Sequence, residues 1–114
     1  MELMARKFVC PCCGFSGLDT PPYERIGLPP WLDHGPPPYS QRYGMPSYEV
    51  CACCGFEFGN DDEPRTAPPV TFAAYFREWF AGGCVWFDPQ SRPENWSVEG
   101  QLRKAGIHYK TPAG

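Results

Sequence analysis

Two hexapeptides decide the reading of this chain, Cys10-Pro11-Cys12-Cys13-Gly14-Phe15 and Cys51-Ala52-Cys53-Cys54-Gly55-Phe56. Each holds a Cys-x-x-Cys pair followed at once by Gly and an aromatic residue, and residues 14–50 lie between the pairs. Paired thiols at this spacing are the layout of a four-thiolate metal site. A tetrahedral ion needs each ligand pair to arrive from one tight turn. Two residues between the cysteines let the turn's own amides point back at the first sulfur and share its negative charge. Gly14 and Gly55 fall where the chain leaves the turn with positive φ, a conformation only Gly adopts at no steric cost. The expected ligand set is therefore Cys10, Cys13, Cys51 and Cys54 around one ion, with disulfides as the competing use of the same residues.

Each hexapeptide carries three cysteines, and a tetrahedral ion takes two from each. Cys10 with Cys12 makes too tight a loop, and Cys12 and Cys13 are neighbours that chelate badly, so Cys12 and Cys53 are expected as spectators. The alternative makes them reactive thiols of a redox switch, which depends on their exposure. The turns follow short β-favouring approaches, Phe8-Val9 and Tyr48-Glu49-Val50. The resulting fold class is small α+β, metal-stapled: a zinc-ribbon or rubredoxin-like knuckle pair with short strands, a long proline-rich loop and two C-terminal helices. The ion expected is Zn2+, with Fe as the alternative, since knuckles of this kind accept either.

The chain is 114 residues long with Pro 15 and Gly 12, a balance that alone leans toward disorder. Its 16% aromatic content argues the other way, because four Trp, six Tyr and eight Phe have large apolar faces to bury. An ordered, loop-rich domain follows, of a size at which a metal staple matters. The net charge is -3, and no basic stripe is present to hold phosphates, which speaks against nucleic acid. Residues 1–9 hold Glu2, Arg6 and Lys7 and no apolar run, so no secretory signal is expected. Thiolate ligation then implies a reducing cytoplasm. No window reaches the length of a membrane span.

In chain order, residues 1–64 are expected as the metal-binding part with a proline-rich insertion at about 20–46. Residues 65–114 are expected as a helical, aromatic-rich part packed on it, one compact domain overall. The eight prolines between Thr20 and Pro46 exclude helix there and imply an extended excursion. Pro36-Pro37-Pro38-Tyr39 fits the PPxY pattern that WW domains read; the competing reading packs the insertion's aromatics back on the rest. His34 reads as a surface loop residue, and Asp61-Asp62-Glu63 as a solvated acidic turn. Thr71 can cap a helix with Phe72, Tyr75, Phe76, Trp79 and Phe80 on one face, stopped by Gly82-Gly83. Cys84-Val85-Trp86-Phe87 is long enough for a strand, with Cys84 as a small buried hydrophobe. A last helix, Ser97 to about Ala105, has Asn95 or Ser97 as cap and Gly106 at its left-handed end, with Ile107 folding back. His108 has no ligand partner nearby, and a frayed tail follows from Tyr109.

With these motifs placed, the chain resembles the small bacterial cysteine-rich proteins named CPCC for their Cys-Pro-Cys-Cys start. The matching residues are 10–15, Leu18-Asp19 with Pro21-Pro22-Tyr23, Ser47-Tyr48-Glu49-Val50-Cys51, Cys54 and Asp61-Asp62. The likeness covers roughly residues 8–63. It implies a bacterial cytosolic protein with a zinc-ribbon-like knuckle pair, in a family without an assigned activity. The chain departs from the family pattern by its insertion after Tyr23 and by Cys53-Cys54-Gly55-Phe56, where other members often carry one cysteine and a Phe-Trp pair.

Four cysteine ligands leave no open coordination position for substrate. The two histidines are isolated, and neither a phosphate loop nor a nucleophile elbow is present. No catalytic residue is therefore assigned. The expected function is a protein-interaction or adaptor module with structural zinc, its partner another protein, and self-association through the aromatic half left open. Two alternatives stand beside it: rubredoxin-like electron transfer by iron, and weak nucleic-acid binding through the ribbon and exposed aromatics.

Overall fold

The computed structural model describes residues 7–25, 36–65 and 67–107. Trp31, His34, His108 and the tail from Tyr109 lie outside the described residues, as does the lead at residues 1–6.

Each hexapeptide closes a narrow antiparallel loop. Phe8 and Leu18 exchange both backbone bonds, at 2.9 and 3.0 Å, and Val50 bridges Glu57 beside a 3.0 Å bond from Tyr48 N to Phe58 O. Pairing stops at these single bridges, so the expected short strands do not form among the described residues. The next rung belongs to the turn itself. Cys10 N donates to Phe15 O and Cys51 N to Phe56 O, while Gly14 and Gly55 donate back to the carbonyls of Cys10 and Cys51. A third bridge, Tyr23 to Pro46, joins the two ends of the proline-rich stretch; Pro46 has no amide to carry a ladder onward. Glu49 ties the loops together, its carboxylate accepting from Asp19 N, Thr20 N and the Thr20 hydroxyl at 2.7–3.0 Å.

The proline-rich stretch holds one helical turn, α1 (Ser40–Tyr43), where an entirely extended run was expected. The prolines just before the turn, Pro36 to Pro38, lie where missing amide donors cost nothing, and residues 39–45 contain none. Tyr39 is only 2% exposed and stacks on Phe72 with ring centroids 4.0 Å apart. A WW-type reader needs that ring, so the PPxY pattern is spent on the core.

Tyr23, Tyr39, Phe56, Phe58, Phe72 and Phe76 form an aromatic core around one carboxylate, Asp62. Asp62 is fully buried, not part of a solvated turn as its acidic neighbours suggest. Its Oδ2 accepts from the Tyr23 hydroxyl at 2.7 Å and from Tyr39 N at 3.1 Å, and its Oδ1 from Gly59 N at 2.8 Å. Three donors are what a buried carboxylate needs to offset the loss of water. The Tyr39 hydroxyl in turn accepts from Phe72 N, at the start of the next helix.

That helix, α2 (Phe72–Ala81), is capped as its sequence requires, Thr71 Oγ1 accepting from Ala74 N at 3.0 Å. Phe72 and Phe76 are buried, and Tyr75, Trp79 and Phe80 half-buried against the core. Cys84 to Phe87 is irregular where a strand was expected. Cys84 has a left-handed φ of 54° and is half-buried, Trp86 turns inward, and Val85 and Phe87 face solvent. The segment spends its amides on the second knuckle: Phe87 N donates to Cys53 O and Asp88 N to Ala52 O. A 3-10 turn at Pro89–Ser91 leads to α3 (Val98–Ala105). Ser97 caps α3, Gly106 ends it at φ 74°, and Ile107 N bonds back to Leu102 O with its side chain buried.

Candidate metal centre

The two knuckles face one another and bring Cys10, Cys13, Cys51 and Cys54 together, all four sulfurs within 4.8 Å of each other and buried. Contacts run across the knuckles: Cys10 Sγ to Cys54 Sγ is 4.0 Å and Cys13 Sγ to Cys51 Sγ 3.7 Å. A tetrahedron with metal–sulfur bonds of about 2.3 Å has an edge of about 3.8 Å, so the spacing fits one ion at the centre. The same distances are far beyond the about 2.05 Å of a disulfide, and all seven cysteines are free thiols. These four thiols could hold a metal ion with no ligand drawn from elsewhere.

The turns supply the amide arrangement that the spacing promised. Cys12 N points at Cys10 Sγ at 3.4 Å, and the Cys54 amide acts in the same sense on Cys51. Gly14 and Gly55 leave the turns at φ 90° and 86°. Gly14 is also a close approach: a Cβ there would lie 3.2 Å from Ala105 Cβ and 3.3 Å from Gln101 O, so α3 seats directly on the first knuckle.

Burial pushes the thiols of Cys10, Cys13 and Cys54 well above their ordinary range. At Cys51 burial also pushes upward, but the thiols of Cys10, Cys13 and Cys54 and the Cys54 amide donate to its sulfur and bring it well below. A divalent ion bound there would take the place of the thiol protons and share the charge of all four sulfurs.

Cys12 and Cys53 stand behind the tetrad, each with no solvent exposure. The Cys12 thiol donates to Phe72 O at 3.5 Å, and burial raises it to about 12. Gln101 Nε2 lies 3.4 Å from Cys53 Sγ and also donates to Cys13 O at 3.0 Å, while Trp96 Nε1 fixes the same amide by donating to Gln101 Oε1 at 2.9 Å. Gln101 is the site residue that the motifs do not reveal. It lies on a helix that carries no cysteine, and the hint is a long amide on the face of α3 that carries Val98, Leu102 and Ala105. Tyr75 plays the matching part at the other knuckle, its hydroxyl donating to Cys54 O at 3.3 Å.

The chain is similar to the "Uncharacterized protein YoaQ" of Bacillus subtilis (strain 168), 28% identical over 102 residues that cover 81% of this chain and 73% of the Bacillus protein. No protein-family model matches the chain, and no solved structure does. Among the described residues, no helix is long and apolar enough to cross a membrane.

Proposed function

We propose that the chain is a bacterial cytoplasmic protein of the CPCC type that binds one structural zinc through Cys10, Cys13, Cys51 and Cys54 and uses the zinc-ordered knuckles to present a protein-interaction surface. The observation that carries the reading is the tetrad itself, four buried sulfurs spaced as the corners of one coordination tetrahedron. Its closed shell supplies stability and leaves no position for substrate. In this reading the knuckle half is zinc-ribbon-like and the aromatic C-terminal half is packed on it. The surface is apolar and rides on the second knuckle: Val85 and Phe87 are 69% and 63% exposed, and Phe87 is held by its amide bond to Cys53 O. Paired exposed apolar side chains on a rigid support suit a protein partner better than they suit phosphate.

Elemental analysis and a visible spectrum of untagged protein, purified under reducing conditions without chelator, test the metal. One zinc per chain without colour is the expected result. Iron with charge-transfer bands overturns zinc and makes the protein an electron carrier, and a folded protein without metal overturns the site. A partner captured by the native protein and lost by V85S/F87S supports the interaction surface; a partner retained by that variant removes it.

A further inference from the structure

A second surface lies where α3 seats on the first knuckle. A Cβ at Gly14 would meet Ala105 and the Gln101 carbonyl. Along this seam runs an open groove of about 590 Å3, lined by Val9, Phe15 and Ser16 of the knuckle and by Trp96, Arg103 and Lys104 of the C-terminal segment. The volume is that of a cleft able to hold a ligand. Phe15 and Trp96 are half-buried and share one backing, the buried ring of Trp86, which meets them edge-on with centroids 5.5 and 5.3 Å away. Trp96 is further fixed by its 2.9 Å bond to Gln101 Oε1 and by the Arg92 guanidinium, 5.4 Å from its ring centre. Two rings held this way give up little freedom when an apolar group settles on them.

Arg103 and Lys104 are exposed, and neither they nor Arg92 make an ion pair among the described residues. Of the groove's lining residues only Glu94 is acidic. Cations without carboxylate partners thus border one aromatic cleft, in a chain whose net charge is -3. We propose that this groove binds a short acidic peptide segment of another protein, with an apolar side chain resting on Phe15 and Trp96 and carboxylates meeting Arg103 and Lys104. The site depends neither on the identity of the metal nor on Val85 and Phe87, which ride on the second knuckle.

Size and charge both suit such a segment. The 8 residues of α3 make a wall about 12 Å long, which about four extended residues span at about 3.3 Å each. The Arg103 guanidinium can take a carboxylate through two parallel bonds, and Lys104 adds a point charge beside it. Beside apolar rings, these cations give the groove a preference of sign as well as an anchor. A nucleic-acid strand fits less well. Its backbone is charged at every step and has to pass Glu94 in the lining and Glu99 on the same helix, whereas a peptide can set neutral residues opposite them.

Fluorescence anisotropy with the full chain, as purified under reducing conditions, tests the proposal. The probe is a fluorescein-labelled hexapeptide, acetylated and amidated, whose central leucines are flanked by glutamates. The expected result is saturable binding below about 1 mM, weakened in about 1 M salt, where charges are screened within about 3 Å. R103Q/K104Q removes two exposed charges and keeps good helix formers; it should weaken binding about tenfold. In the amide NMR spectrum of the wild-type protein, the peptide should shift the Trp96 indole signal and the backbone signals of Phe15, Ser16 and Arg103. No binding at about 1 mM, equal binding of the same peptide with glutamines for glutamates, or an affinity unchanged in R103Q/K104Q overturns the proposal. Shifts confined to Val85 and Phe87 overturn the groove and give the ligand to the apolar pair. An oligothymidylate of equal charge that binds more tightly overturns the peptide and makes the groove a nucleic-acid site. The wild-type shifts locate the ligand even where the variant folds poorly.

Discussion

Replacing Asp62 with Asn should destabilise the protein by about 3 kcal/mol while changing the side chain's shape hardly at all. The carboxylate accepts at both oxygens, two donors on Oδ2 and one on Oδ1. An amide offers one acceptor atom and one NH2. With the amide oxygen at the Oδ2 position, the NH2 faces the Gly59 N–H; with the amide reversed, it faces the Tyr39 N–H. Either orientation leaves a buried backbone donor opposed by another donor. Hydrogen bonds to a charged group are worth about 1.5–3 kcal/mol, and a stranded buried donor costs about 1–3; the two overlap, so their sum overstates the loss. Tyr23→Phe removes one donor and leaves the carboxylate with two, so it should cost about 1.5 kcal/mol. The double variant should show about 1 kcal/mol of coupling, because the same bond is lost twice. The assay is urea unfolding followed by tryptophan fluorescence, at a free metal concentration fixed by a buffer, since a ligand bound only by the folded state shifts apparent stability by mass action. A loss below about 1 kcal/mol for Asp62→Asn, or additive single effects, would refute the account of Asp62 as the acceptor on which the proline-rich stretch docks.

Gly14→Ala should cost more than Gly83→Ala, although both residues sit near φ +90–99°. Each bears the backbone penalty of about 1–2 kcal/mol, but only at Gly14 does the new methyl press on Ala105 and Gln101; equal shifts in thermal midpoint would show that α3 does not seat there. Chelation under reducing conditions should abolish near-ultraviolet dichroism and the helical signal together, since structural zinc supplies about 10–16 kcal/mol in small domains. Because the metal displaces protons from Cys10, Cys13 and Cys54, whose thiols burial raises, apparent metal affinity should fall as pH falls, and an affinity unchanged by acid in a chelator competition would contradict this. At the alkaline end, burial raises Tyr23, and raises Tyr39 to about 12. Their folded values lie above the unfolded value of about 10, so their stabilisation is complete below that pH and is lost as pH rises through the folded values. Unfolding and tyrosinate absorbance should therefore appear together near pH 12, and tyrosinate formed without unfolding would refute their burial.

What the sequence revealed was what it encodes within a few residues. The Cys-x-x-Cys-Gly turns, the Thr71 and Ser97 caps and the Gly106 terminus are local, and each appears in the structure where its residues require it. Asp62 was illegible because its partners lie 39 and 23 residues away, in a stretch whose prolines draw attention from its tyrosines. The physical clue was present in the buried-ring logic: tyrosine hydroxyls carried into an aromatic core need an acceptor, and an acid beside Phe58-Gly59 stands ready. The strand assignments failed for the opposite reason. Phe8-Val9, Tyr48-Val50 and Cys84-Phe87 have strand composition, but the knuckle turns take up the amides that a ladder would use.

The same amides and carbonyls explain why the C-terminal half belongs with the knuckles. Cys13 and Cys54 hold the same place in the two hexapeptides, and their carbonyls need donors that the turns do not provide. Gln101 Nε2 of α3 supplies Cys13 O, and the Tyr75 hydroxyl of α2 supplies Cys54 O. The two helices are unrelated in sequence, yet they satisfy equivalent groups of a duplicated turn. Phe87 and Asp88 then take the carbonyls of Cys53 and Ala52 in the second knuckle. The segment that carries the exposed Val85 and Phe87 is thus held on the second knuckle. Whatever order a metal imposes on the turns is passed through these four carbonyls to the helices and to the exposed apolar pair.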